Sequence, residues 1–294
     1  MITDTITDPT RRQEFVLLFD VANGNPNGDP DAANAPRVDP ETGHGLVTDV
    51  ALKRKVRDFL TLTRKMPMFI QSDFALNTLK SQAADAVQPP LSKDEREGKR
   101  PIQRLREKLC ADYFDIRIFG AVLATGDSGD RLNAGQVRGP VQLTFARSID
   151  PILPLDAAIT RKARTTEERM ETGTTEFGRK PFVPYGLYRA HGYVNPFLAE
   201  QTRISSTDLE SLWEALINLF EFDRSASRSN MAVRGLYVFT HENKLGNAPA
   251  HALLERIGVE RKPDVETPRA FSDYDVTVRD GDLPPGVTMT SLVG

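Results

Sequence analysis

The sequence has a single cysteine, Cys110. One thiol excludes an intramolecular disulfide and any cysteine-based zinc cluster. Cys110 lies between Leu109 and Ala111 on an expected helix, where it reads as a buried, inert thiol. Histidine is also scarce: His44, His191, His241 and His251 are not spaced as metal-ligand pairs. No Gly-x-Ser-x-Gly elbow and no Walker loop occurs. No stretch approaches a membrane span, and residues 1–14 are polar without an apolar signal core. A soluble, cytoplasmic protein with no membrane partner is expected. A charge excess is lacking too: 38 Lys+Arg stand against 41 Asp+Glu, a net −3. Any nucleic-acid partner would therefore be held by local basic patches.

What is present suffices for a sizeable core. The 294 residues are 39% hydrophobic and 27% charged, ordinary for one large soluble domain or two small ones. The most informative stretch runs from Phe15 to Leu60. Phe15, Leu17, Phe19 and Val21 recur every second residue and predict a strand over Glu14–Val21, with Val16 and Leu18 making its other face apolar as well. Asn25-Pro26-Asn27-Gly28 has turn chemistry and opens a long polar loop, Ala22–Gly45, of a length usually functional or disordered. A helix over Asp49–Leu62 follows. Thr48 suits its cap, Asp49 its positive end, and Leu52, Val56, Phe59 and Leu60 its buried face.

Further along, Phe74–Ala86 and IQRLREKLCADYF read as helices flanking a charged, proline-bracketed linker. Ile116–Ala124 and Val141–Ile149 read as strands, separated by the glycine-punctuated loop TGDSGDRLNAGQVRG. Residues 150–206 read as an insertion. Asp208–Phe222 is the clearest helix, with Thr207 and Glu210 fitting a capping box. Met231–His241 is a strand, AHALLERIG a short helix and YDVTVRD a last strand. Without its insertions the order is β-α-β-β-α-β, an α+β class with the ferredoxin-like arrangement shared by the RNA-recognition motif. That order hosts many functions and does not select one.

Basic residues cluster locally. Lys53, Arg54 and Arg57 lie on the first helix, Arg138 follows Gln136 in the glycine-rich loop, and Arg161, Lys162, Arg164, Arg179 and Lys180 bracket the second insertion. Arg224 and Arg228 separate the capped helix from the next strand. Such groups neutralise phosphates, with Asn and Gln side chains able to bond backbone or sugar. A charge run on a helix is equally the mark of a solvated face. Met170 is an apolar side chain in a charged loop, either plain surface or a wedge between bases. Asp29, Asp31 and Asp39 are the acidic candidates for a metal, but Pro30 and Pro36 occupy positions where a calcium loop needs Gly and Glu. Local turn closure explains them better. Arg234–Phe239 faintly echoes an RNA-stacking strand, and core packing is the better reading.

FDVANGNPNGDPDAANAPRVDPETGHGLVTDVALKRKVRDF, RLNAGQVRGPVQLTFARSIDPI and MAVRGLYVFTHENKLGNAPAHALLERI together resemble one family. It is the crRNA-binding backbone subunit of the type I-C CRISPR Cascade complex, in the Cas seven branch of the RAMP superfamily. The resemblance runs from Phe15 to about Tyr274. It implies a modified RNA-recognition-motif palm from residues 14–64, 113–150 and 207–294. It further implies helical fingers at 65–112 and a β-hairpin thumb at 151–206, with Thr172–Thr175 at its tip and Met170 as wedge. Copies would stack along the crRNA and grip its phosphates, leaving bases to pair with target DNA. Lys53, Arg54 and Arg57 would lie under the phosphates, with Asn25, Asn27, Gln136 and Arg138 nearby. Partners implied are crRNA, target DNA, other copies, the small, large and crRNA-processing subunits, and a recruited helicase-nuclease. No enzymatic activity, metal or cofactor is implied. The alternative is a metal-dependent ribonuclease of the same superfamily, with Asp29 or Asp31 catalytic.

Overall fold

Twelve consecutive residues, Gln13–Gly24, form strand β1, and nearly all are buried. The computed structural model describes residues 1–97, 101–124, 132–161, 176–228 and 230–294. The other strands are β2 (Gly28–Asp29), β3 (Ala35–Pro36), β4 (His44–Val47), β5 (Gly120–Val122), β6 (Gln136–Arg138), β7 (Val141–Leu143), β8 (Ala146–Pro151), β9 (Leu155–Arg161), β10 (Glu176–Val194), β11 (Met231–His241), β12 (Ile257–Arg261), β13 (Tyr274–Val278) and β14 (Val287–Val293). The helices are α1 (Asp4–Thr7), α2 (Asp49–Arg64), α3 (Leu76–Asp85), α4 (Lys93–Glu97), α5 (Gln103–Asp112), α6 (Phe114–Phe119), α7 (Pro196–Thr202), α8 (Ser206–Ile217) and α9 (Ala250–Leu254).

The protein is thus mixed α and β, built on a main sheet in the order β14-β11-β1-β10-β8-β4. Every pairing along that path is antiparallel. The apolar character of both faces of β1 has a direct cause: both are covered. Phe15, Leu17, Phe19 and Val21 enter one core with Leu52, Val56 and Phe59 of α2 and Leu209, Leu212 and Trp213 of α8. Val16 and Leu18 enter a second, with Tyr237, Phe239, Leu253 and Ile257. A third cluster joins α3 and α5 to Ile116, Leu123 and Val137.

Thr48 caps α2 as expected, its Oγ1 accepting the Ala51 N–H at 3.2 Å. The capping box of α8 is Ser205 with Asp208, not Thr207 with Glu210. SSTDLE holds both registers, and Asp208 decides between them because it also pairs with Arg117. The helix ends at Ile217, short of Phe222.

Three sequence expectations are corrected. Ile116–Ala124 is not one strand: α6 continues through Phe119, and Gly120, at φ 81°, turns the chain into the short β5. Phe114 and Ile118 face the main core while Ile116 faces the third cluster, a helical division of sides. Val141–Ile149 breaks into β7 and β8 at Thr144 and Phe145, leaving Phe145 54% exposed. Most consequentially, residues 150–206 are not all insertion, because β10 lies beside β1 for eleven register pairs. The main sheet holds more strands than the expected β-α-β-β-α-β order, with β4, β7, β9 and β14 added to β1, β8, β10 and β11. β12 and β14 were not read from the sequence, and α9 stops at Leu254 where a longer helix is expected.

Register makes Gly192 obligatory. It lies opposite Phe15 on β1, and a Cβ there would stand 2.0 Å from Phe15 Cζ. Phe15 cannot yield, because its ring meets Trp213 edge-on at 5.1 Å. Gly192→Ala is expected to destabilise the fold by about 1–3 kcal/mol, the cost of overpacking, read by denaturant unfolding. Next to it, His191 Nε2 accepts from Arg189 Nε at 2.9 Å. Burial, then the Arg189 charge, pulls the imidazole down from 6.5 to about 4. The unfolded chain binds the proton first, so stability contributed by neutral His191 is present above pH 6.5 and lost as pH falls toward 4. His191→Gln is expected to flatten the dependence of stability on pH in that window, measured by denaturant titration at several pH values.

Candidate nucleic-acid interface

The long polar loop is held by its own side chains. Asn25 is buried, donating its amide to Asn34 O at 2.7 Å. Asn27 Oδ1 accepts from the N–H and the hydroxyl of Thr48, at 2.9 and 3.0 Å, and so fastens the loop to the start of α2. Asp29 pairs with Arg37 at 3.3 Å and accepts the Asp31 N–H, while Asp31 is exposed. Arg147 donates to Asp39, whose carboxyl lies below its usual range because the Glu41 N–H and the Thr42 hydroxyl also donate to it. Asn25 and Asn27 thus shape the loop. Among the described residues no group of three His, Cys, Asp or Glu is placed to hold a metal ion.

The basic run on α2 divides by depth. Lys53 Nζ pairs with Asp49 at 2.9 Å, approaches Gln142 Oε1 at 3.4 Å and stands 5.7 Å from the Phe119 ring. Arg54 is 66% exposed and bonded to Asp58. Lys55 and Arg57 turn inward. Lys55 donates to Asp223 over the Phe220 ring, and burial lowers its pKa against the opposing pull of that carboxylate. Arg57 donates to Asp115 at 2.9 Å with both side chains buried. Arg57 is therefore not a surface phosphate ligand but part of the core.

Gln136 and Arg138 fall on the exposed side of β6, with Val137 buried between them. Gln142 donates to Phe119 O at 3.3 Å and Gly139 O at 2.9 Å, tying this ribbon to the ring beneath Lys53. A hollow lined by Phe119, Gly120, Gln136, Arg138 and Gln142 results. The structure thus brings Gln136 and Arg138 into one hollow, and Lys53 reaches its rim through Gln142. Gln142, not singled out from the sequence, joins them. Its signal was there, a polar residue between inward-facing Val141 and Leu143.

The remaining candidates lie elsewhere. Arg179 and Lys180 sit on β10 opposite Ala158 and Ala157, and Arg161 pairs in register with Glu176. Arg224 bonds Glu221 at 3.0 Å, and Arg228 bonds Asp223 at 2.9 Å, the carboxylate that also takes Lys55. That network faces away from Lys53, two residues being about 200° apart on a helix. Lys162, Arg164, Met170 and the expected hairpin tip Thr172–Thr175 lie outside the described residues.

An antiparallel sheet flanked by a polar loop, a helix carrying Lys53 and Arg54, and an arginine-bearing ribbon defines a protein of mixed α and β class. The chain belongs to the family described as CRISPR-associated protein Cas7, which matches residues 11–279. A CRISPR-associated protein Cas7 of Haloferax volcanii is 28% identical over 244 residues, covering 75% of this chain and 67% of the relative. Among solved structures, a chain of a CRISPR RNA-guided surveillance complex, pre-nicking, has a similar fold: TM-score 0.50, 13% identity, 79% of each chain covered. No described helix is long and apolar enough to cross a membrane.

The division by depth has a measurable consequence. Arg57→Ala leaves Asp115 charged and buried without its cation, and is expected to cost about 3–5 kcal/mol of stability. Arg54→Ala removes only an exposed i,i+4 pair and is expected to change stability by less than about 0.5 kcal/mol. Denaturant unfolding of the two variants side by side reads the difference.

Proposed function

We propose that this chain is a non-catalytic backbone subunit of a type I-C Cascade surveillance complex. Copies assemble along the crRNA, bind its phosphates and present its bases to target DNA. The observation that carries this reading is the match to the Cas7 family across residues 11–279. The surface formed by Lys53, Gln136, Arg138 and Gln142 is consistent with it. Cations and amides of this kind bind a backbone without reading its sequence, leaving specificity to base pairing.

In this reading β11, β1, β10 and β8 with α2 and α8 are a modified RNA-recognition-motif palm. Their spatial order, with both helices in one core, supports it. Residues 65–112 are the fingers, and the thumb comes from 151–206 less the half of β10 that lies in the main sheet. Met170, with the basic residues of that thumb, meets RNA or the neighbouring copy. The complex's small, large and crRNA-processing subunits and a helicase-nuclease complete the set of partners.

Asp29 is engaged by Arg37 and by the Asp31 N–H, which supports structural work for this loop rather than metal-dependent RNA cutting. Incubating the assembled complex with complementary RNA and magnesium tests that point, and cleavage at regular spacing would reverse it. For guide binding, Lys53→Ala and Arg138→Ala are each expected to weaken crRNA affinity similarly for all sequences. Each should also reduce the slope of log affinity against log salt by about one phosphate's worth. Electrophoretic titration across a salt series measures both, and an unchanged affinity and slope for both variants would refute the proposed RNA face.

A further inference from the structure

Behind β6, on the side of α5 and α7, lies a cleft of about 500 Å³. Arg106, Arg117, Arg138 and Arg203 line it, and Glu107 is the one carboxylate among its lining residues. Their commitments differ. Arg117 is spent on Asp208, with bonds of 3.0 and 2.8 Å, and lies over the Phe114 ring. Arg106 gives Nε to Ala134 O at 3.0 Å, and its terminal amines bond no carboxylate among the described residues. Glu107 accepts from Gln103 at 2.9 Å. Arg138 and Arg203 are exposed and have no carboxylate partner among the described residues. The cleft therefore gathers more guanidinium charge than its own carboxylates neutralise.

Two backbone features fix this arrangement. Arg203 sits at φ 58° just past α7, a left-handed position where glycine is the usual occupant. An arginine there costs about 1 kcal/mol of backbone strain that a glycine would avoid. Gly139 follows Arg138, and a Cβ on it would stand 2.1 Å from the Phe119 carbonyl carbon, so the ribbon is pressed onto α6. Gln136, Val137 and Arg138 line both this cleft and the hollow above Phe119 and Gln142. The two are joined along β6, and Gln142 in turn touches Lys53.

We propose that the cleft is a phosphate-binding extension of the Lys53–Arg138 surface, in which Arg203 and Arg106 hold the phosphodiester backbone of a nucleic-acid strand. This rests on the RNA-binding reading above. Guanidinium forks match phosphate oxygens in pairs, which suits arginine more than lysine at such a place. The strand is either the guide RNA continuing past Lys53 or the DNA strand paired with it. Both present the same chemistry.

The test uses the assembled complex, with Arg203→Gln and Arg203→Glu. Neither replacement removes a side-chain hydrogen bond within the described residues, so folding should be retained, as thermal unfolding would verify. In one arm guide RNA affinity is titrated across a salt series; in the other, complementary DNA is titrated against the guide-loaded complex. About a tenfold loss in one arm for Arg203→Gln, larger for Arg203→Glu and with a shallower salt slope, is expected. Loss in the first arm assigns the strand as guide, and loss in the second alone assigns it as DNA. If neither arm moves while Lys53→Ala still weakens guide binding, the cleft is not a phosphate site and the RNA-binding reading stands. If Lys53→Ala and Arg138→Ala are silent too, that reading itself has failed.

Discussion

The buried carboxylate of Asp115 is the constraint on which the basic surface depends. It accepts from Arg57 at 2.9 Å, from the Phe69 N–H at 2.8 Å and from the Ile70 N–H at 3.0 Å. One group thus joins α2, α6 and the chain leaving α2. Arg57 and Lys53 both stand over the Phe119 ring, at 5.5 and 5.7 Å. Phe119 ends α6, and Gln142 binds its carbonyl. The position of Lys53 relative to the β5–β6 ribbon is therefore set from inside, by a charge that water does not reach. Buried pairs of this kind add little net stability compared with an apolar packing of equal size. Here the pair fixes register between a helix and a ribbon, so that surface cations fall side by side.

The sheet imposes a second constraint. The side bearing Val16 and Leu18 is closed by α9 and the β12–β13 ribbon, and Tyr237 and Phe239 are consumed in that closure. At its edge, Asp20 accepts from Tyr185 at 3.0 Å and from Arg234 at 2.9 Å, and Arg234 stacks on Phe271. Burial raises the Asp20 carboxyl, and the Arg234 charge opposes that rise. Aromatic stacking of bases on these strands is thus closed off where Tyr237 and Phe239 lie.

How much of this was legible in the sequence follows from where the determining contacts lie. β1, α2 and β11 carry their own signals: alternation, a cap, and an apolar stripe. β10 does not. Its Pro181, Pro184, Gly186 and Gly192 read as breakers, yet the glycines are there because Tyr188 and Phe15 occupy the space a Cβ would take, at 2.9 and 2.0 Å. That reason sits on the strand's own fold and on its partner, not in local propensity. In the expected order Ile116–Ala124 fills a strand position that the missing β10 would have supplied. In the same way KRKVR shows how many cations α2 bears but not which face inward. That depends on Asp115 and Asp223, 58 and 168 residues further along the chain.

A net charge of −3 is no obstacle to holding a polyanion, because partnering, not counting, sets the local field. Lys55, Arg57, Arg117 and Arg228 are bound to carboxylates at least partly buried, and exchanging those partners for a phosphate would strand a negative charge. Lys53 differs. Its partner Asp49 lies one turn away on the same helix and is 23% exposed, so a carboxylate released by Lys53 returns to water. Lys53 itself is 13% exposed, so the pair is shielded from water on the lysine side and opens through Asp49. Arg138 and Arg203 have no carboxylate to release among the described residues. Lys53, Arg138 and Arg203 can thus meet a phosphate without stranding a fully buried carboxylate. Among the described residues, Asp49 and Glu107 are the carboxylates that enter that surface, and neither is bonded to Arg138 or Arg203.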